Sequence, residues 1–453
     1  MQGIKQFKVD TRGLSSEEKT ILKKLVLAAK LIAPLYLKQK NNKYPGANFY
    51  PHDATKEEIE KAAKKNPLIL NPYTFVERNK FGKLIAIPFH LKFKKELKPV
   101  VRLLVEAAQL SENKNFSLYL KGRAQSLLNG NYEKSEIIWL KTKPFKFGFV
   151  IGPIERYIDK LFFIKCAYQA WVGILDEKAT QEAEKLKNLV LTGRRKILAG
   201  SEKMDVRKLG ARVDKTIIFS GLIADFMFTG TNLPNDVNLM KKYGSNLTIF
   251  ETSLQEKFKK DQFPIFKAVF NKKFQKSYYK TELYLASLRC ILLHEIAHSL
   301  IRYRDAEERL KNLFPIFDEI YASILGIQDC GFLLLKGIMT QKELEAILIM
   351  HTCRNFTWWL DFQKNPDVNH YTIGAAIALN FCLKGGAIKE KKGLSCPNFA
   401  KLFICVDELC HILDYYLALG TYKEAEEFIK EYGSFNVFKS FSPRLNKFLK
   451  RRE

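Results

Sequence analysis

Two histidines and a glutamate interrupt a largely apolar helical stretch of this 453-residue sequence. Between residues 281 and 303, leucine and isoleucine recur every three or four positions, which predicts a buried or amphipathic helix. His294 and His298 stand four residues apart, so a helix places both rings on one face, with Cβ atoms roughly 5 to 6 Å apart. Burying these rings and the Glu295 carboxylate is costly without compensating partners. The fold must therefore supply such partners.

The spacing His294-Glu295-x-x-His298 is typical of a helix that binds a metal ion through two imidazoles. In such sites the glutamate faces a metal-bound water and acts as the general base of a zinc hydrolase. The alternative interpretation is a pair of core histidines. Because the chain has only seven histidines, chance would produce the pattern on the order of 0.01 times. The spacing therefore favours a single-zinc hydrolase.

A third ligand is needed, because a catalytic zinc takes three protein ligands and keeps one position open. Pro315 opens the next predicted helix, which carries Asp318 and Glu319. An adjacent antiparallel helix would bring the Glu319 carboxylate back to the histidines. We predict one Zn²⁺ per chain, bound by His294, His298 and Glu319, with Asp318 orienting a ligand histidine. Alternatively, the two acids only complement the dipole of an exposed first helical turn.

Composition restricts the class of protein. The 47% hydrophobic and 13% aromatic content excludes a disordered chain. No apolar run reaches the roughly 18 to 20 residues that cross a bilayer, and the amino terminus does not resemble a secretory signal. The eight cysteines form no CxxC pair, which is typical of buried thiols in a reducing compartment. The sequence thus predicts a soluble, cytoplasmic protein of two or three domain-sized units.

The charge is strongly basic, with 75 lysine and arginine residues against 48 acidic residues and a net charge of +27. Nucleic-acid binding would gather this excess into a stripe or groove, but the lysines are spread over almost every segment. This distribution favours solvated surfaces over a nucleic-acid partner. A polyanion-binding protein that performs no catalysis remains the alternative from another class.

The metal motifs resemble those of the zinc-dependent dipeptidyl peptidase III peptidases, and the resemblance covers most of the chain from about residue 70. That family carries a histidine motif usually written HELLGH and an acidic motif such as EECRAE, whose second glutamate binds zinc. Here HEIAH at 294–298 is one residue shorter, and Asp318-Glu319 begin the acidic motif. Ser323 replaces the last acidic residue, and Gly374 stands where the family has an arginine. The second departure puts binding of the carboxyl-side half of a peptide in question.

Further segments are similar to the substrate cleft of the same family. GPIERY resembles its GxxExY segment, and NLPN resembles its NxPN segment. The resemblance implies that Glu155, Asn232 and Asn235 bind the amino-terminal part of a peptide. It also implies that Tyr157 and His370 stabilise the oxyanion. Taken alone, Glu155 could pair with a surface lysine, and the two asparagines could belong to an ordinary turn.

The resemblance implies an α+β, mostly helical fold of two lobes with a cleft between them. Residues 1–176 and 215–262 would form a strand-containing lobe with a small β-barrel and the substrate floor, and residues 177–214 and 263–453 the helical, zinc-carrying lobe. The predicted function is a zinc-dependent peptidase that acts on short peptides and releases dipeptides from their amino termini. A zinc hydrolase of non-peptide amides is a further alternative. The oligomeric state stays open.

Overall fold

The structure, a computed structural model, divides the chain into two compact units. Residues 2–142, 145–193, 201–203, 209–364, 369–390, 394–395 and 399–449 are described. The first unit comprises Met1–Thr180, Arg212–Phe228 and Leu233–Asn246; the second comprises Gln181–Ala211, Thr229–Asn232 and Leu247–Glu453. Residues 247–262 therefore cluster with the helical unit, whereas the sequence-based division placed them in the strand-containing lobe.

Helices and a few strands alternate in the first part of the chain. The elements up to residue 193 are β1 (Ile4–Gln6), α1 (Ser16–Gln39), α2 (Lys56–Lys65), β2 (Thr74–Arg78), β3 (Leu84–Pro88), α3 (Phe89–Lys92), α4 (Lys94–Leu110), α5 (Lys114–Asn129), α6 (Glu133–Lys141), β4 (Phe147–Glu155), β5 (Ala167–Leu175) and α7 (Glu177–Gly193). The short apolar pattern after Pro72 predicts a hairpin, which β2 and β3 confirm. The polar stretch from Glu177 to Leu198 predicts a helix, which α7 confirms as far as Gly193; residues 194–198 lie outside the described residues.

Helices dominate the rest of the chain, as the sequence predicts. The elements are β6 (Ser201–Lys203), β7 (Leu209–Gly221), α8 (Leu222–Phe226), β8 (Gly230–Leu233), α9 (Val237–Tyr243), β9 (Ser245–Phe250), α10 (Glu251–Lys257), α11 (Phe263–Val269), α12 (Lys272–Gln275), α13 (Lys280–Leu300), β10 (Ile301–Tyr303), α14 (Ala306–Leu310), α15 (Phe314–Leu335), α16 (Gln341–Lys364), α17 (Asn369–Lys384), β11 (Lys389–Glu390), β12 (Leu394–Ser395), α18 (Phe399–Ala418), α19 (Tyr422–Tyr432) and α20 (Asn436–Leu449). No helix in the described ranges is both long and apolar enough to cross a bilayer.

Antiparallel strands β4, β5 and β7 form the centre of the first unit. Phe149 of β4 lies opposite Val172 of β5, and Trp171 of β5 lies opposite Phe219 of β7. β1 pairs with the other edge of β7. Most residues of β4 and β5 are buried, and α1 packs against β5. The sheet is a curled half-barrel, so the small barrel predicted from the resemblance is not a closed one.

Helix α13 lies at the centre of the second unit. It packs against α15 and α16, and α15 in turn packs against α17 and α18. A short antiparallel ladder joins β10, which follows α13 directly, to β6. The two histidines of α13 therefore lie within a set of packed helices.

A buried carboxylate organises the loop between β4 and β5. Asp159 is fully buried and accepts hydrogen bonds from the backbone N–H groups of Phe162, Ile164 and Lys165 and from the Tyr50 hydroxyl, at 2.8 to 3.2 Å. The buried Lys165 ammonium donates to Ile69 O, Asn71 O and Thr74 Oγ1. These bonds hold the loop that carries Tyr157 against the segment before β2.

We expect Asp159→Ala to destabilise the first unit, because the variant leaves one buried and two partly buried backbone N–H groups without an acceptor. The loss should be about 3 kcal/mol in the free energy of unfolding, measured by urea denaturation monitored by circular dichroism. Asp10→Ala is the control, since Asp10 is exposed and pairs with Arg12 at the surface. Equal stability of the two variants would contradict an organising role for Asp159.

Candidate metal centre

The metal-binding histidines predicted from the sequence converge on one face of α13. The His294 and His298 ring centroids are 4.7 Å apart, and the rings are nearly perpendicular. His294 is 5% exposed and Glu295 is 7% exposed. The apolar neighbours every three or four residues keep this helix inside the unit, so His294 and Glu295 are buried and His298 is partly buried.

A glycine on α15 allows the second helix to approach the first closely. A Cβ at Gly326 would lie 2.9 Å from the Leu293 carbonyl carbon and 3.1 Å from the His294 nitrogen. A larger residue would therefore push α15 away from the turn that carries His294. Because Gly326 lies two helical turns after Glu319, this contact helps to set the position of Glu319 relative to the histidines.

The Glu319 carboxylate completes a three-residue ligand set. Its Oε2 atom lies 3.4 Å from His294 Nε2 and 3.7 Å from His298 Nε2, and the three ligand atoms all lie within 4.8 Å of one another. Tetrahedral zinc, with ligand bonds near 2.0 to 2.2 Å, separates its ligand atoms by about 3.3 Å. Glu319 Oε2 is buried and accepts no hydrogen bond within the described chain. The donor set thus fits a divalent metal ion.

Each ligand is oriented by a second contact on its other side. His294 Nδ1 lies 3.0 Å from Ser323 Oγ, and His298 Nδ1 lies 3.5 Å from Asp318 Oδ2. The Tyr371 hydroxyl donates to Glu319 Oε1 at 3.2 Å. These contacts leave both Nε2 atoms and Oε2 facing one point. The serine in place of an acidic residue therefore still contacts a ligand histidine.

Burial and neighbouring charges shift the pKa values of the two histidines in opposite directions. Burial, assisted by the positive charge of Arg354, lowers the pKa of His294 to about 3. Burial also opposes protonation of His298, but the carboxylates of Asp318 and Glu319 outweigh it and raise the pKa of His298 to about 9. The histidine pair lowers the pKa of Glu319 well below its usual range, against the effect of burial. A metal ion would take the place of the His298 proton.

The backbone of β8 lies close to the Glu295 carboxylate. A Cβ at Gly230 would lie 2.6 Å from Glu295 Oε1, so a larger residue there would displace the Glu295 side chain. The Asn232 amide donates to Glu295 O at 3.1 Å and also to Ser299 Oγ. Asn232 is therefore tied to α13 by its amide nitrogen. The sequence placed Asn232 in a predicted substrate-binding segment but did not predict its hydrogen bond to α13.

Three other predicted residues lie in the first unit. Glu155, at the end of β4, is 6% exposed and accepts a hydrogen bond from Asn235 Nδ2 at 2.9 Å. The ring of Tyr157 stacks on Phe226 at 5.6 Å and contacts Phe228 edge-on. The structure thus brings Glu155 and Asn235 together, while Tyr157 lies in an aromatic cluster.

His370 lies in the second unit, near the start of α17, with its ring 4.1 Å from that of Tyr371. Tyr371 stacks on Trp358 of α16 at 4.2 Å, nearly parallel. Sequence reasoning missed Tyr371 and Trp358 as part of the site. The one available signal was that Tyr371 is adjacent to the predicted His370.

Comparison with curated proteins gives one distant relative. The chain is 24% identical over 410 residues to Nudix hydrolase 3 from Arabidopsis thaliana, covering 82% of this chain and 51% of that protein. The chain therefore spans about half the length of the curated relative it matches.

Solved structures and a family match agree with the motifs. The chain is similar to dipeptidyl-peptidase III from Caldithrix abyssi, with a TM-score of 0.83 and 22% identity, covering 97% of this chain and 95% of that one. It is also similar to dipeptidyl-peptidase III from Corallococcus sp. strain EGB, with a TM-score of 0.82 and 24% identity, covering 99% and 92%. Residues 70–197 match Peptidase family M49. The resemblance and the mostly helical fold class predicted from the sequence are thereby confirmed: the chain has the fold of dipeptidyl-peptidase III, and a segment of it matches a metallopeptidase family.

Proposed function

We propose that the protein is a zinc-dependent peptidase that removes dipeptides from the amino termini of short peptides. The observation that carries this proposal is the convergence of His294, His298 and Glu319 on one point, with the buried Glu295 next to it on the same helix. The family match and the fold support the peptidase class.

Zinc is the metal that this donor set favours. Two neutral imidazole nitrogens and one carboxylate oxygen are the ligands of several catalytic zinc sites, which keep the fourth position for water or substrate. When bound, zinc polarises the scissile carbonyl and lowers the pKa of its water from 15.7 towards about 7. His294, His298 and Glu319 hold the ion, while Ser323, Asp318 and Tyr371 keep their ligand atoms directed at it.

Glu295 is the proposed general base. Its carboxylate takes a proton from the attacking water and returns it to the leaving amine nitrogen. The close backbone of Gly230 leaves the carboxylate little freedom to rotate away. In this proposal the Tyr157 hydroxyl and the His370 imidazole donate hydrogen bonds to the developing oxyanion.

The proposed substrate-binding residues offer complementary groups for the amino-terminal part of a peptide. Glu155 supplies a negative charge for the terminal ammonium, and its bond from Asn235 holds that carboxylate in place. The Asn232 amide nitrogen is occupied by α13, but its Oδ1 atom is buried and accepts no hydrogen bond among the described residues. Asn232 Oδ1 is therefore the atom that would accept a bond from a peptide N–H.

The metal assignment predicts near-stoichiometric zinc in protein purified without added metal, measured by elemental analysis. Glu319→Ala should lose most of it. Tyr371→Phe removes only the hydroxyl that orients Glu319 and should weaken zinc affinity roughly 10- to 100-fold. Tyr422→Phe is the matched control, since its hydroxyl contacts Asn312 at the surface. Full zinc retention by Glu319→Ala would place the third ligand elsewhere.

The general-base assignment predicts that Glu295→Gln keeps zinc and peptide affinity but loses turnover. A positioned general base contributes roughly 10² to 10⁴-fold, so the loss in kcat should fall in that range while the zinc content stays unchanged. Stopped assays on a short peptide, with elemental analysis of the same preparation, measure both quantities. Wild-type rates in Glu295→Gln would remove this carboxylate from the mechanism.

The dipeptide register predicts successive losses of two residues from short peptides. An extended chain advances roughly 3.3 Å per residue, so an anchored ammonium fixes which peptide bond reaches the metal. Mass spectrometry should find dipeptide products from free peptides and none from amino-terminally acetylated ones. Glu155→Gln, which still accepts from Asn235, should act much more slowly. Equal internal cleavage of free and acetylated peptides would rule out the dipeptidyl assignment but not the zinc peptidase.

A further inference from the structure

A small pocket lies beside Glu319 and Ser323 in the second unit. Helices α15, α16 and α17 line it, and its interior volume is about 20 Å³. This volume suits a group of about the size of one water molecule. Small residues on α17, among them Gly374 and Ala378, leave the space open.

The α16 wall of the pocket carries polar side chains without protein partners. His351 is 8% exposed and Asn355 is 6% exposed, and both line the pocket together with Arg354. Within the described ranges, none of these three side chains makes a hydrogen bond to another residue. The Arg354 guanidinium only lies over the Trp358 ring, 5.7 Å from its centroid. Buried polar groups normally have partners, so this wall points to a ligand.

Arg354 brings a positive charge to the pocket. Across the described residues, Arg354 has no carboxylate within ion-pair distance. Glu319 also borders the pocket, but its Oε1 accepts from Tyr371 and its Oε2 faces the histidines. The groups left to a ligand are the guanidinium, the Asn355 amide and the His351 ring. Such a set stabilises negative charge through charge-assisted hydrogen bonds.

We propose that this pocket binds one compact monovalent anion, a carboxylate group or a halide ion, through Arg354 and Asn355. The small volume admits a single carboxylate or halide and excludes branched acids. A carboxylate could belong to a peptide bound at the metal centre, whereas a halide would come from solution. The site itself does not depend on the proposed peptidase activity.

Chloride-35 line broadening in the full chain tests the site when it is recorded with and without zinc, because chloride can also bind an open zinc position; the broadening that remains without zinc reports on the pocket. Wild type should broaden the chloride signal, acetate should suppress the broadening at lower concentration than trimethylacetate, and Arg354→Met should lose most of the effect. Arg354→Lys, which keeps the charge, should retain part of it. Arg102→Met is the control for surface arginines, because Arg102 is 75% exposed, and circular dichroism checks that every variant is folded. Unchanged broadening in Arg354→Met, or equal competition by both acids, would overturn the proposal.

The source of the anion is resolved with the Glu295→Gln variant, which should not consume peptide. If a short peptide with a free carboxyl terminus displaces chloride, and the same peptide with an amidated carboxyl terminus does not, the pocket binds the substrate carboxylate. Displacement by neither peptide assigns it to halide. Because the readout is chloride binding, a failed peptidase assay would leave this result unaffected.

Discussion

The close packing of α15 on α13 is the constraint on which the metal centre depends. Gly326 lets the two backbones approach at the turn of His294, and the same helix then carries Ser323, Glu319 and Asp318 past both histidines. A single helix pair thus supplies the three ligand residues and two of their orienting contacts. The rest of the second unit packs further helices against this pair.

The pattern of apolar residues predicted which helices form this site, but it did not predict all of the polar contacts within it. The helical period around residues 281–303 and the four-residue histidine spacing were enough to predict which face of α13 carries the candidate metal ligands, and Pro315 marked the helix that carries Glu319. Tyr371 could not be found in this way, because its bond to Glu319 depends on how α17 packs. The hydrogen bonds between Asn232 and α13 were not predicted for the same reason, because they also depend on tertiary packing. Local periodicity fixes which side of a helix is buried, whereas tertiary packing decides which side chains meet there.

Strand boundaries were predicted less well for a related reason. β7 spans Leu209–Gly221, whereas its apolar pattern alone predicts a strand only from Thr216 to Phe219. Residues 247–262 include the end of β9, yet they cluster with the second unit. A chain that passes back and forth between two units gives no change of composition at the crossing points, so the sequence alone does not mark them.

The serine at position 323 affects the electronic character of a bound ion. A carboxylate in contact with His294 Nδ1 would push electron density through the ring towards the metal, whereas a neutral hydroxyl does so much less. The ligands and their contacts then carry one negative charge fewer, which leaves a divalent ion with more of its own positive charge. A metal in this protein would accordingly be a stronger Lewis acid than one whose two histidines are both paired with carboxylates.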